Sequence, residues 1–155
     1  RSSMEGLLEV TEMMIDICEA GHYLHSRGVV HGDLTSNNVL LQSARTPRGY
    51  KCKICDFGLS RILEGASSSM LTSQLGTVSH MPPELFALDK ESLRFTRKVD
   101  IYSLGMLLWQ AVMGEYPFRG KTAPQIIISV ANGTKMEFCS EVPESVSRFF
   151  AQCTT

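Results

Sequence analysis

The chain lacks most of the features that would place it outside the ordinary folded class. It has no excess charge of either sign: 15 Lys and Arg stand against 16 Asp and Glu, a net charge of −1. That balance gives no field to draw in nucleic acid or an anionic membrane. Long apolar runs are missing too. The most apolar stretch, residues 101–113, is interrupted by Ser103, Gly105 and Gln110 and is shorter than the roughly 20 residues of a bilayer span. The opening Arg1-Ser2-Ser3-Met4-Glu5 lacks the basic-then-apolar order of a signal peptide. Glycine and proline are modest, 12 and 6 of 155 residues, and with 43% hydrophobic and 20% charged residues the composition excludes disordered, collagen-like and coiled-coil classes. What remains is a soluble globular chain, long enough for one domain or part of one.

The five cysteines (Cys18, Cys52, Cys55, Cys139 and Cys153) are odd in number and widely spread, so reduced thiols in a cytoplasmic setting, or in the intracellular part of a membrane protein, are expected rather than a disulfide framework. Cys52 and Cys55 have CxxC spacing. They sit in an alternating strand-like segment, where an odd separation sends the two side chains to opposite faces. No second pair stands at zinc-ribbon spacing, so structural thiols are expected.

The apolar residues Val10, Met13, Met14, Ile17, Cys18 and Leu24 follow helical spacing, with Gly21 on the same stripe as a point of close packing and Gly28 as the stop. Residues 38–41 and 51–54 read as strands, and Pro47-Arg-Gly49 between them is turn chemistry, so a hairpin is expected. Residues 64–77, rich in Ser, Gly and Thr, read as a mobile loop. A buried helix is expected over 97–113, ended by Gly114 and Pro117. A second spans 122–132, with Thr122 as N-cap, Pro124 in the first turn and Gly133 as stop, and a third starts near Pro143. The fold class is therefore mainly α with a small β-hairpin.

Three motifs occur in order: His31-Gly-Asp-Leu-Thr-Ser-Asn-Asn-Val-Leu-Leu41, Asp56-Phe-Gly58, and Gly76-Thr77 followed by Met81-Pro-Pro-Glu84. Asp100-Ile-Tyr-Ser-Leu-Gly105 and Gly114-Glu-Tyr-Pro-Phe-Arg-Gly120 follow. With these five in sequence, the chain resembles the protein kinase family over nearly its whole length from about Val10. The part it resembles is the C-terminal lobe of that α+β fold, and the catalytic loop and Leu104-Gly-Met-Leu-Leu-Trp109 look most like the tyrosine-kinase-like branch of Ser/Thr kinases. The resemblance implies ATP and Mg²⁺ as cofactors and a protein substrate, with no nucleic acid partner. Phosphoryl transfer needs a positioned hydroxyl and neutralised phosphate charge. Asp33 would orient the hydroxyl and accept its proton. Asn38 and Asp56 would supply the few hard oxygens that Mg²⁺ takes from protein. Gly58 would give backbone freedom after Asp56, and Phe57 would lock the motif against the core. The plainer reading makes Asp33 and Asn38 turn and cap residues and Asp56 a strand end.

By the same resemblance His31 packs on Phe57, Asp100 holds the catalytic-loop backbone from a buried helix, Leu40 forms the floor beneath the adenine, and Cys55 lines the same pocket. The alternative for Asp100 is an exposed helix-start residue favoured by the dipole. Residues 56–84 would be the activation and substrate-docking segment.

The departures are specific. Gly32 stands where the family has Arg, so phosphorylation of the Ser67–Ser69, Thr72 or Ser73 hydroxyls is not expected to act as an obligatory switch through that position. Thr35 replaces the Lys of many Ser/Thr kinases, and residues 34–38 do not reproduce the tyrosine-kinase pattern. His80 replaces a common aromatic and Pro82 a common Ala, while Thr77 is retained and favours Ser/Thr specificity. No glycine-rich loop, strand Lys or helix Glu occurs before Met13, and the family Arg that pairs with Glu84 is not present. The expectation is a partial kinase domain, residues 1–155, truncated at both ends and dependent on its missing N-lobe, with poor ATP binding alone and Glu84 unpaired. A pseudokinase-like scaffold and a small-molecule kinase of similar fold are the competing readings. Gly120-Lys-Thr122 has the wrong spacing for a P-loop, Glu19-Ala-Gly-His22 occurs once where a di-iron site needs two copies, His22 and His25 read as a polar helix end, and Asn132-Gly-Thr134 reads as a helix-stop turn.

Overall fold

The computed structural model describes residues 4–63, 77–86 and 95–155. The expected loop at 64–76, with its serine and threonine hydroxyls and Gly76, lies outside the described residues.

Helix α1 (Met4–Ser26) begins ahead of the expected start near Val10 and ends where expected. It buries Met14 and Ile17, and Val10, Met13 and Cys18 pack beside them, as the 3.6-residue spacing requires. Gly21 is a correction: a methyl group there would meet nothing within 4 Å, so no close packing depends on it. After the turn at Gly28 come β1 (Val29–Val30), a 3₁₀ turn (Ser36–Asn38), β2 (Val39–Ser43) and β3 (Tyr50–Ile54). The β2–β3 hairpin is antiparallel, with Val39 opposite Ile54 and Ser43 opposite Tyr50. A second ladder joins β1 to β4 (Arg61–Ile62), pairing Val30 with Arg61. It was not expected, because two-residue strands carry no alternation to read.

The hairpin is fixed to α1 by the Asp16 carboxylate, which accepts the Cys52 backbone N–H at 2.8 Å and pairs with the Arg48 guanidinium. Arg48 also lies over the Tyr50 ring, so the turn is held by charge and by an aromatic face together.

Helix α2 (Lys98–Met113) is the centre of the molecule. Its residues from Tyr102 to Trp109 are all buried, the pattern of a helix covered on every side. Gly114 ends it in the left-handed conformation at φ 68°, its N–H returning to the Gln110 carbonyl. Helix α3 (Ala123–Ala131) starts at Thr122, whose N–H donates to the Gln125 side chain at 2.8 Å, half of a capping box. Helix α4 (Glu144–Cys153) crosses α2 at Gly105, where an added Cβ would lie 2.8 Å from Cys153 Cβ and 3.0 Å from Thr154 Cγ2. Trp109 Nε1 donates to the Glu137 carbonyl at 2.8 Å and ties the loop before α4 to the core.

All five cysteines are free: Cys52 and Cys153 are buried, Cys18 and Cys55 half-buried and Cys139 exposed. Cys52 points into the core from β3, and Cys55 lies just past its end. No cluster of three or more His, Cys, Asp or Glu groups among the described residues could hold a metal by itself. No described helix is long and apolar enough to cross a membrane.

Candidate active site

The site is organised by a buried carboxylate. Asp100, 4% exposed in the first turn of α2, accepts the His31 backbone N–H at 2.9 Å on Oδ2 and the Gly32 N–H at 2.8 Å on Oδ1. His25 Nε2 lies 2.7 Å from Oδ2. A carboxylate in an apolar helix is costly unless its lone pairs are used, and here three groups use them. The exposed helix-start alternative for Asp100 is thereby excluded. His25, read from sequence as a polar helix end, is part of this tie.

His31 is 1% exposed. Its Nδ1 accepts the Asp33 N–H at 3.3 Å, so the proton resides on Nε2, which donates to the Cys55 carbonyl at 3.0 Å. Its ring meets Phe57 edge-on, centroids 5.2 Å apart. The catalytic-loop candidate 31–38 is thus sewn to the segment after β3 by a single imidazole. Phe57 itself remains 48% exposed, which corrects the expectation that it locks the motif into the core: it rests on His31 and stays open on its other face.

Asn38 Nδ2 donates both to the Asp33 backbone carbonyl at 2.8 Å and to Asp33 Oδ2 at 3.0 Å. The other carboxylate oxygen, Oδ1, accepts the Thr77 N–H at 2.8 Å across 44 residues of chain. Asp33 is therefore oriented from both sides, and each oxygen keeps a lone pair for a further hydrogen bond. With its nitrogen committed, Asn38 presents Oδ1, which accepts no hydrogen bond among the described residues.

Asp56 reaches the same place through the backbone. The Cys55 N–H bonds to the Asn38 carbonyl at 2.9 Å, extending the hairpin ladder by one step, to the residue just before Asp56. Asp56 adopts φ 60°, a left-handed conformation that Asp tolerates better than most residues, at a cost of about 1 kcal/mol. Its Oδ1 accepts the Gly58 N–H at 3.1 Å, closing a tight side-chain turn. The expected role of Gly58 is corrected accordingly. The left-handed residue is Asp56, and Gly58 is small because a Cβ there would approach Asp56 Oδ1 to 3.1 Å.

The Asp56 carboxylate and the Asn38 amide oxygen are hard donors of the kind Mg²⁺ takes alongside water and phosphate oxygens. Leu40, 55% exposed on β2, and half-buried Cys55 flank this corner.

Two neighbouring residues departing from the family pattern are buried. His80 is 3% exposed, and burial pushes its imidazole down to about 4, against the opposing pull of the Asp33 charge. Thr35 is 2% exposed. Among the described residues Thr35 Oγ1, His80 Nε2 and Gln110 Oε1 are buried without a hydrogen-bond partner. Glu84 is half-buried at the mouth of a cavity of about 170 Å³ shared with Lys98, Tyr102 and Thr154, and it makes no ion pair among the described residues. Burial, and next the Glu84 charge, raise the Tyr102 hydroxyl to about 12.

The tie of His25 to Asp100, and that of Gln110 Nε2, which donates to Ser36 Oγ at 3.0 Å, had no signal in the sequence. Their partners lie far off in the chain, and only the fold brings them together.

The family described as protein tyrosine and serine/threonine kinase matches residues 3–155. A probable LIM domain-containing serine/threonine-protein kinase of Dictyostelium discoideum is 32% identical over 96% of this chain and 14% of its own length. The serine/threonine/tyrosine-protein kinase HT1 of Arabidopsis thaliana is 38% identical over 79% of this chain and 28% of its own length. The mitogen-activated protein kinase kinase kinase dlk-1 of Caenorhabditis briggsae is 35% identical over 89% of this chain and 15% of its own length. The chain thus spans well under a third of each of these relatives. Matched from end to end by the family's pattern, it belongs to the protein tyrosine and serine/threonine kinases.

Proposed function

We infer that these residues form the C-terminal-lobe part of a kinase domain that transfers the γ-phosphoryl group of ATP to Ser or Thr hydroxyls of a protein substrate. The observation that carries this reading is the two-sided hold on Asp33, whose carboxylate is fixed by the Asn38 amide and the Thr77 N–H. Asp33 accepts the proton of the attacking hydroxyl. Asn38 Oδ1 and the Asp56 carboxylate would hold Mg²⁺, which when bound would supply neutralisation of the charge on the phosphates. Leu40 and Cys55 face the nucleotide base, and residues 56–84 dock the protein substrate. Thr77 beside Asp33, together with relatives named as serine/threonine kinases, supports hydroxyls of that class.

The test is phosphoryl transfer from ATP by the full-length protein, with Asp33→Asn as control. Removing a general base lowers kcat by about 10²–10⁴-fold while leaving KM for ATP nearly unchanged. Turnover that is unaltered by Asp33→Asn refutes the assignment. A full-length protein that binds partners but never turns over points to the scaffold reading, to which Gly32 and Thr35 lend some support.

A further inference from the structure

Position 32 has no side chain, and the structure shows what takes the space. Gly32 adopts φ 82°, and a Cβ built there would lie 2.7 Å from Phe95 Cζ, 3.5 Å from Phe95 Cε2 and 3.1 Å from the Leu59 carbonyl oxygen. A side chain at position 32 would therefore have to displace the tip of the Phe95 ring and press on the Leu59 carbonyl, on a backbone already in the left-handed region. The Phe95 ring is in turn covered by Arg61, whose guanidinium carbon sits 4.4 Å from the ring centroid. Arg61 belongs to β4 and pairs with Val30, the fully buried residue that precedes His31. Gly32, Phe95 and Arg61 therefore form a stack running from the catalytic loop through an aromatic ring to a cation on the neighbouring ladder. A guanidinium over an aromatic face is favourable, and more so where water is partly excluded; burial lowers the Arg61 guanidinium.

Five residues beyond Phe95, Asp100 grips the same Gly32 by its N–H. The segment entering α2 thus holds one glycine twice, by a polar bond to its nitrogen and by a ring against its α-carbon. We propose that Phe95, capped by Arg61, is a positioning residue for the catalytic loop, fixing the backbone that carries Asp33 by packing against Gly32 with no charged side chain at position 32. It acts through Gly32 and touches no reacting atom. The effect on turnover rests on the kinase reading above, whereas the effect on loop rigidity does not.

The experiment compares full-length wild type with Phe95→Ala, Phe95→Leu, Gly32→Ala and the double variant Gly32→Ala/Phe95→Ala, by amide hydrogen exchange of residues 28–34 and by kcat and KM for ATP. Phe95→Ala is expected to speed exchange in 28–34 by about tenfold or more with α4 unchanged. It should lower kcat by about 10–100-fold with KM for ATP within about twofold, the mark of a misplaced rather than an unbound reactant. Phe95→Leu, which keeps most of the apolar bulk, should restore both readouts to within about threefold of wild type. The double variant should be less impaired than independent effects of the two changes would give, because the ring that the added methyl group would strike is gone. Wild-type exchange in 28–34 for Phe95→Ala overturns the proposal, as does faster exchange spread evenly over the whole protein. Absence of turnover in wild type would sink the kinase reading, while the exchange comparison still decides whether Phe95 holds the loop.

Discussion

Individual side chains at this site are over-determined in some places and unsatisfied in others, and both conditions have consequences. Asp100 holds two backbone N–H groups and an imidazole, and His31 uses both ring nitrogens. His80 is the opposite case: nearly sealed off, with a ring nitrogen that finds no partner among the described residues. Its native imidazole titrates at about 4, below the ordinary value of 6.5, so between these limits the unfolded chain binds a proton that the folded chain refuses. Stability therefore rises with pH through that window. The contribution of His80 should make the protein about 2 kcal/mol less stable at pH 5 than at pH 7. Urea denaturation at the two pH values measures it, and His80→Phe should remove that share of the difference. The pairing of Asp33 with Asn38 was legible, because five residues of separation on one loop let the Asn38 amide fold back onto the Asp33 carboxylate. Phe95 was not, since an aromatic after a polar stretch reads as ordinary core until the fold sets it on Gly32.

Among the elements, α2 decides most of the architecture. Ten of its residues are buried, and its apolar run with Gly114 behind it made its bounds readable to within one residue. The β2–β3 hairpin was readable from its Pro-Arg-Gly turn and the alternation of the second strand, although β2 runs two residues past the expected Leu41, to Ser43. The β1–β4 ladder was beyond reach, because its partners lie about thirty residues apart in two-residue strands with no alternation to read. Helices α2 and α4 come into tight contact at Gly105. Gly105→Ala gains helix propensity of up to about 1 kcal/mol but forces a methyl against Cys153 Cβ and Thr154, and overpacking of this kind costs about 1–3 kcal/mol. The expected net result is a lower Tm by thermal unfolding, with α4 displaced. A Tm at or above wild type would mean that α4 can retreat without loss.

Across the whole molecule, the candidate site gathers three stretches of chain: 31–38, the segment after β3, and Thr77. Helix α2 anchors the first of them, so no local element can form the site alone. The same global packing governs the free thiols. Burial raises the Cys18 and Cys52 thiols above their ordinary value and Cys153 to about 11, whereas Cys139 is exposed. Thiolate reactivity follows exposure and pKa. A maleimide reagent should therefore tag Cys139 first and leave Cys52 and Cys153 almost untouched until the fold opens, as peptide mass spectrometry would show. Early tagging of Cys153 would mean that α4 frays from α2. These sulfur atoms form a built-in tamper seal, recording which layer of the protein has been breached without any dye or engineered probe.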